Sequence, residues 1–169
     1  MTADLVREYG MLTLGTRLRR LGERLQQQTQ EVLAAADLPV PVSHFPLLAA
    51  LDRDGALSVG GLAEAIGVSQ PAVTRQLGRL EDDGLVESRT ATGDQRLREV
   101  VLSKAGQQLV TRARRLTWPQ IEAAVADACG ADGPRLLGAL AALEDALQAQ
   151  TLGQRAARLA TRRARHASA

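Results

Sequence analysis

The side chains best equipped to recognise another molecule cluster between residues 69 and 98. Ser69, Gln70, Pro71, Thr74 and Arg75 fall within seven residues, and Arg79 follows one helical turn later. They bring hydroxyl, carboxamide and guanidinium groups, the types that hydrogen-bond to base edges and phosphates of a duplex. Thr74 and Arg75 suit base edges, Gln70 suits bases or phosphate, and Arg79 suits a phosphate or an ion pair with a nearby acid. A second group is Asp94, Arg96 and Arg98. An arginine at the tip of a β-ribbon fits a narrow minor groove, where the potential is most negative. Asp94 can orient Arg96 by a charge-assisted hydrogen bond. The same residues also fit a solvated loop with an incidental ion pair.

Other chemistries lack their parts. No Ser/His/Asp set stands in a catalytic context and no glycine loop is placed to cradle phosphates, so no enzyme activity, catalytic residue or cofactor is expected. Two histidines and one cysteine leave no ordinary zinc site, so no metal is expected. Three aromatic residues (Tyr9, Phe45 and Trp118) are too few for a stacking platform on single-stranded nucleic acid. The single cysteine excludes an intramolecular disulfide framework and fits a reducing, cytoplasmic compartment. No apolar run approaches the ~20 residues of a membrane span, and the N-terminus lacks the blocks of a signal peptide.

The elements that position the recognition groups can be read from spacing. Leu62 and Ile66 mark one face of a short helix, and Ala63 lets a second helix cross closely. Gly67 can take the left-handed conformation that ends a helix sharply. Val68 is expected to plug the corner. Ser69 is expected to cap the next helix, with Pro71 tolerated in its first turn. Val73, Leu77 and Leu80 bury the inner face of that second helix, which leaves Gln70, Pro71, Thr74 and Arg75 outward near its start. This is a helix-turn-helix by spacing. Gly78 in its middle costs about 1 kcal/mol against alanine and is either an allowance for a close-lying partner or merely tolerated. Leu85–Arg89 and Arg98–Leu102 read as two strands around a polar turn, so the helix-turn-helix carries a wing.

Helices flank this module. Leu14, Leu18, Leu21, Leu25 and Val32 form one stripe, and Leu38-Pro39-Val40-Pro41 breaks the helix. Phe45–Leu51 reads as a short helix. Ser103 is placed to cap a long helix running towards Cys129, with Pro119 expected to kink or interrupt it. Leu136, Leu140, Leu143 and Leu147 mark a last helix. Unmatched stripes at both ends of the chain point to a dimer assembled from both termini. Charge is uneven. The chain has 21 basic and 19 acidic residues, but Gly153–Ala169 holds five arginines and no acid, which leaves the rest at −3. The tail is either a site for a polyanion or a frayed, solvated end. Against duplex binding, residues 52–104 hold seven basic and nine acidic side chains.

Several of these segments together resemble the MarR family of bacterial winged-helix transcription factors: Leu62-Ala63 to Ile66-Gly67, Ser69–Arg75, Leu80–Val86, Asp94-Gln-Arg96 and Val101–Gly106. Leu14–Arg20, His44–Leu48 and Trp118 also resemble the MarR half of proteins that fuse this module to an acetyltransferase. The resemblance implies a mainly α fold, a winged helix-turn-helix with N- and C-terminal dimerisation helices. The expected divisions are 1–38 (N-terminal dimerisation helix), 43–103 (DNA-binding region), 104–152 (C-terminal dimerisation helices) and 153–169 (basic tail). It implies a homodimer that binds a pseudo-palindromic operator in double-stranded DNA, acts as a repressor, and is released by a small-molecule effector in many members. Arg17, His44, Phe45 and Trp118 are the candidates to line an effector crevice, although their apolar parts also suit core or interface. Cys129 lies late in the chain among small residues, which suits a buried thiol better than a redox switch. The competing reading is a winged-helix module that binds protein without sequence-specific DNA binding.

Overall fold

The computed structural model describes residues 4–38, 40–91 and 94–167, with the side chains of residues 91, 94–97, 162 and 164–167 outside that description. The chain divides into two compact units, Met1–Glu122 and Ala123–Ala169.

The first unit opens with a one-turn helix, α1 (Leu5–Glu8), and the long α2 (Leu14–Ala35). Arg20 on α2 takes both carboxylate oxygens of Asp4 at 2.9 and 3.2 Å, which ties the start of α1 to α2. Among the apolar positions of α2 only Leu33 is buried, while Leu21 and Leu25 stay exposed. The expected break follows at Ala35, though Pro39 itself lies outside the described residues. Gln30 replaces the lost helical bonds by accepting from the Val42 N–H at 2.7 Å and donating to the Val40 carbonyl at 3.4 Å.

Helix α3 (Phe45–Asp54) runs past the predicted Leu51 to Gly55, whose φ of +78° turns the chain out of the helix. Then come α4 (Val59–Ile66) and α5 (Gln70–Asp82), the expected helix-turn-helix. Gly67 sits at φ +69° and ψ +31°, and the Val68 N–H reaches back to the Ala63 carbonyl at 3.1 Å, closing α4 as a left-handed cap requires. Two details differ from expectation. Val68 does not plug the corner: it is 41% exposed. Ser69 occupies the N-cap position of α5, but its hydroxyl makes no capping bond. The capping serine of this motif is Ser58, whose Oγ accepts from the Gly61 N–H at 3.1 Å.

The wing strands β1 (Val86–Ala91) and β2 (Asp94–Leu102) pair antiparallel from Val86↔Leu102 to Thr90↔Arg98, with an irregularity between Thr90 and Ala91. Both extend further towards the tip than their apolar residues suggested, because backbone pairing continues where the side chains turn polar. Leu57 adds a third, one-residue rung by exchanging both backbone bonds with Val100 at 3.1 and 2.8 Å.

Helix α6 (Lys104–Cys129) continues through Pro119 without ending. Its start is a dense junction. The Ser103 hydroxyl accepts from the Gly106 N–H at 3.0 Å and donates to the Gly84 carbonyl at 2.6 Å. The Ser103 N–H donates to the Leu85 carbonyl at 3.0 Å. Gly106 is compulsory there, since an added Cβ would lie 2.0 Å from the Leu85 carbonyl oxygen. The core gathers beneath these elements: Leu47, Leu48, Leu62, Val73, Leu80 and Val110 are each fully buried. Removing one such side chain costs on the order of 2–5 kcal/mol.

The second unit holds the end of α6, a short 3-10 turn at Gly130–Asp132, α7 (Gly133–Ala149) and α8 (Leu152–Ala167). No residue of α7 is buried, and Leu136, Leu137 and Leu147 stay exposed. Gly153–Ala167 is therefore helical, in place of the frayed end that was one of two expectations for the tail. Among the described residues no helix is long and apolar enough to cross a membrane.

Candidate nucleic-acid interface

Helix α5 presents two opposed faces. Val73, Leu77 and Leu80 point inward and are at most 5% exposed. Gln70, Pro71, Thr74, Arg75 and Arg79 are all exposed, as is Ser69 just before the helix. The buried face fixes the helix in rotation and so fixes which residues look outward. Thr74 donates its hydroxyl to the Gln70 carbonyl at 3.0 Å, which leaves its oxygen lone pairs free to accept. Neither Arg75 nor Arg79 joins any ion pair among the described residues. The ion-pair reading of Arg79 thus finds no partner among them.

Gly78 shares this side of the helix, one turn beyond Thr74 and Arg75. Among the described residues nothing beyond its chain neighbours and its own helix backbone lies within 4 Å of where its Cβ would be. No contact among them requires the glycine.

The end of α5 is coupled to the wing. Gly84 turns the chain at φ +68°, and Leu85 donates its N–H to the Leu80 carbonyl at 2.8 Å. Ser88 on β1 donates a short hydrogen bond to the Glu81 carboxylate. This engages one of the acids that weigh against a duplex partner. On the wing Arg89 faces Glu99 at 3.8 Å, while Arg98 is exposed opposite Thr90. Arg96 belongs to β2, but its side chain and that of Asp94 lie outside the described residues.

The four effector candidates are dispersed in kind. Phe45 and Trp118 meet edge to face, with ring centroids 6.4 Å apart. Phe45 is buried, and its ring serves the core. His44 is 1% exposed, with no hydrogen-bond partner on Nδ1. Burial pushes its pKa down, the Arg79 charge adds to the shift, and Asp83 opposes it. Arg17 is half-buried on α2. A crevice of about 440 Å³ is lined by Trp118 with Pro46, Ala49, Ile66, Arg53 and Arg114, and by none of the other three candidates. Arg114 is held there by Asp52 at 3.0 Å, a pairing between residues far apart in sequence that only the fold reveals. Among the described residues no group of three or more metal-ligating side chains assembles.

Comparison with known proteins agrees with this architecture. A family model described as MarR family matches residues 36–97, the stretch from the end of α2 to the middle of β2. The transcriptional regulator MosR of Mycobacterium tuberculosis, solved in complex with DNA, is 28% identical with a TM-score of 0.69, over 81% of this chain and 97% of its own. The transcriptional repressor CouR, bound to a 23-mer DNA duplex, is 25% identical with a TM-score of 0.68, over 80% of this chain and 96% of its own. A variant of Escherichia coli MarR complexed with operator DNA shares the fold at a TM-score of 0.70, with 23% identity over 86% of this chain and 99% of its own. Residues 36–97 thus match the MarR family model, and the chain has the winged-helix fold of these regulators.

Proposed function

We propose that this protein is a cytoplasmic transcriptional repressor that binds a pseudo-palindromic operator in double-stranded DNA as a homodimer. One observation carries the reading. The outward face of α5 offers Gln70, Thr74 and Arg75, with no ion pair on Arg75 among the described residues, on a helix whose opposite face is locked in the core. In a recognition helix those positions face base edges in the major groove, while Ser69, Pro71 and Arg79 lie against the backbone. Arg98, and Arg96 by its place in the strand, supply the wing's contact to the neighbouring minor groove.

Dimerisation is supported by what the chain leaves uncovered. Leu21 and Leu25 on α2, and Leu136, Leu137 and Leu147 on α7, are too many exposed leucines for a self-sufficient protomer. Residues 1–38 and 104–152 supply the dimer helices in this reading, 43–103 the DNA-reading head, and 153–169 the basic end. A small-molecule effector that releases the DNA completes the scheme, with the Trp118 crevice as its seat. Phe45 bears on that seat through its edge-to-face contact with Trp118. The motifs at Leu14–Arg20 and His44–Leu48 support kinship with the MarR half of acetyltransferase fusions.

The test is selection of genomic DNA fragments by the purified protein, run beside Arg75→Ala. Recovery of a two-fold symmetric site, with altered preference in the variant, is the expected result. A different reading, a winged module that docks on protein, is favoured by the seven basic against nine acidic residues over 52–104. Folded dimer that enriches no site would favour it.

A further inference from the structure

We propose that α8 is a second nucleic-acid contact, gripping duplex phosphates without regard to sequence; this rests on the reading of the protein as a duplex binder.

The helix is built to be presented. Thr151 and Gln154 form a reciprocal capping box: the Gln154 N–H donates to Thr151 Oγ1 at 3.3 Å, and the Thr151 N–H donates to Gln154 Oε1 at 3.0 Å. Arg155 donates to the carbonyls of Gln150 and Ala146, which joins the start of α8 to the end of α7. Arg155 is therefore spent on structure, and the other four arginines lie along a helix that is held at its start.

The helix that carries them has no acidic residue in its sequence. The last acidic residue of the chain is Asp145, and no acid follows it. Arg158 and Arg163 are exposed and join no ion pair among the described residues. Arg162 and Arg165 continue the sequence spacing of Arg155 and Arg158 in steps of four and three, one row along about 15 Å of helix at 1.5 Å per residue. An acid-free arginine row suits a line of phosphates, which each guanidinium can meet with two parallel donors. The rest of the chain carries −3, so this is also where the missing positive field resides.

An anionic membrane is the less suitable occupant. The apolar side of α8 is mostly alanine, with Leu152 and Leu159 its only large members, and it has no aromatic anchor. Interfacial helices draw their hold from such large side chains.

The experiment uses the full chain with Arg158, Arg162, Arg163 and Arg165 all changed to Gln. Arg155 is kept for its bonds to α7. Helicity and oligomeric state are checked by circular dichroism and light scattering. Binding to a labelled random-sequence duplex of about 30 base pairs, and to the site recovered by selection, is then followed against salt. Each phosphate contact contributes about 0.9 to the slope of log K on log salt. The slope should drop by about 3–4 per protomer on both duplexes, with their affinity ratio unchanged. The corresponding variant with four lysines should restore most of the slope. An unchanged slope in the Gln variant overturns the proposal. So does a loss confined to the selected site, or a slope the lysines do not restore. Stronger binding by the wild type to phosphatidylserine vesicles than to the random duplex also overturns it. A wild-type protein that binds no duplex at any salt overturns the operator reading and this one together.

Discussion

Replacing Gly106 with alanine should damage this protein more than any other one-methyl change in its helices. The new Cβ would lie 2.0 Å from the Leu85 carbonyl oxygen and 3.1 Å from its carbon. A close carbon–oxygen contact is about 3.3 Å, so roughly 1.3 Å must be recovered. The obstacle is backbone, and that backbone is already engaged. Leu85 accepts from the Ser103 N–H at 3.0 Å and donates to the Leu80 carbonyl at 2.8 Å. Forcing extra volume into a packed site costs about 1–3 kcal/mol, and breaking the Ser103–Leu85 bond adds about 1 kcal/mol. The better helix propensity of alanine returns about 1 kcal/mol. The net loss should be about 1–3 kcal/mol. In a chain of this length that lowers Tm by roughly 2–12 °C. Urea denaturation at fixed protomer concentration is the assay, because the stability of an associating protein depends on concentration. A midpoint within 0.5 kcal/mol of wild type, worked with the wild-type m value, would refute the reasoning. It would mean that α6 shifts away from Leu85 at no cost.

Gly78→Ala should do the reverse. Its Cβ enters open space, so stability should rise by up to about 1 kcal/mol while operator affinity falls at least several-fold if DNA lies close there. Unchanged affinity in a gel-shift titration would make the glycine merely tolerated. Arg75→Ala should cost about 1–3 kcal/mol of operator binding and relax preference at one base position, which a binding-site selection reads directly. Ser103→Ala should lose about 1–3 kcal/mol of stability, because it strips the Gly84 carbonyl and the Gly106 N–H of their partner together. Acid should weaken the fold through His44. Burial holds its folded-state pKa below the ordinary 6.5, so below that value the unfolded chain binds the extra proton and stability falls with pH. His44→Gln should flatten the wild-type decline between pH 6.5 and 5, and an identical decline in both proteins would remove His44 as its cause.

Much of the reading head was legible because its signals are local. Leu62, Gly67, Val73, Leu77 and Leu80 act through spacing and backbone geometry within a few residues of each other. The contacts that organise the head at longer range were not. Ser58 and Ser69 look alike as caps, yet only Ser58 points its hydroxyl at an N–H. The role of Gly106 depends on Leu85, which arrives only after the wing has folded back. Phe45 and Trp118 did come together, but His44 vanished into the core instead of lining a crevice. The helical tail was written in Thr151 and Gln154, a capping-box pattern obscured by the arginines that follow it.

The junction at Ser103 also marks where this protein can be cut and rejoined. Its bonds run between Gly84–Leu85 on one side and Ser103–Gly106 on the other, and they bracket the whole ribbon from Val86 to Leu102. The ribbon therefore behaves as an insert clasped at its neck by Ser103, through its hydroxyl and its backbone N–H. A wing taken from a related chain should be accepted as a cassette if the exchange begins after Leu85, ends before Ser103 and retains valine at position 100 to meet Leu57. An exchange with either boundary inside the clasp would break the Ser103 bonds between the end of the reading helix and α6, and the resulting chimera should be less stable than the parent.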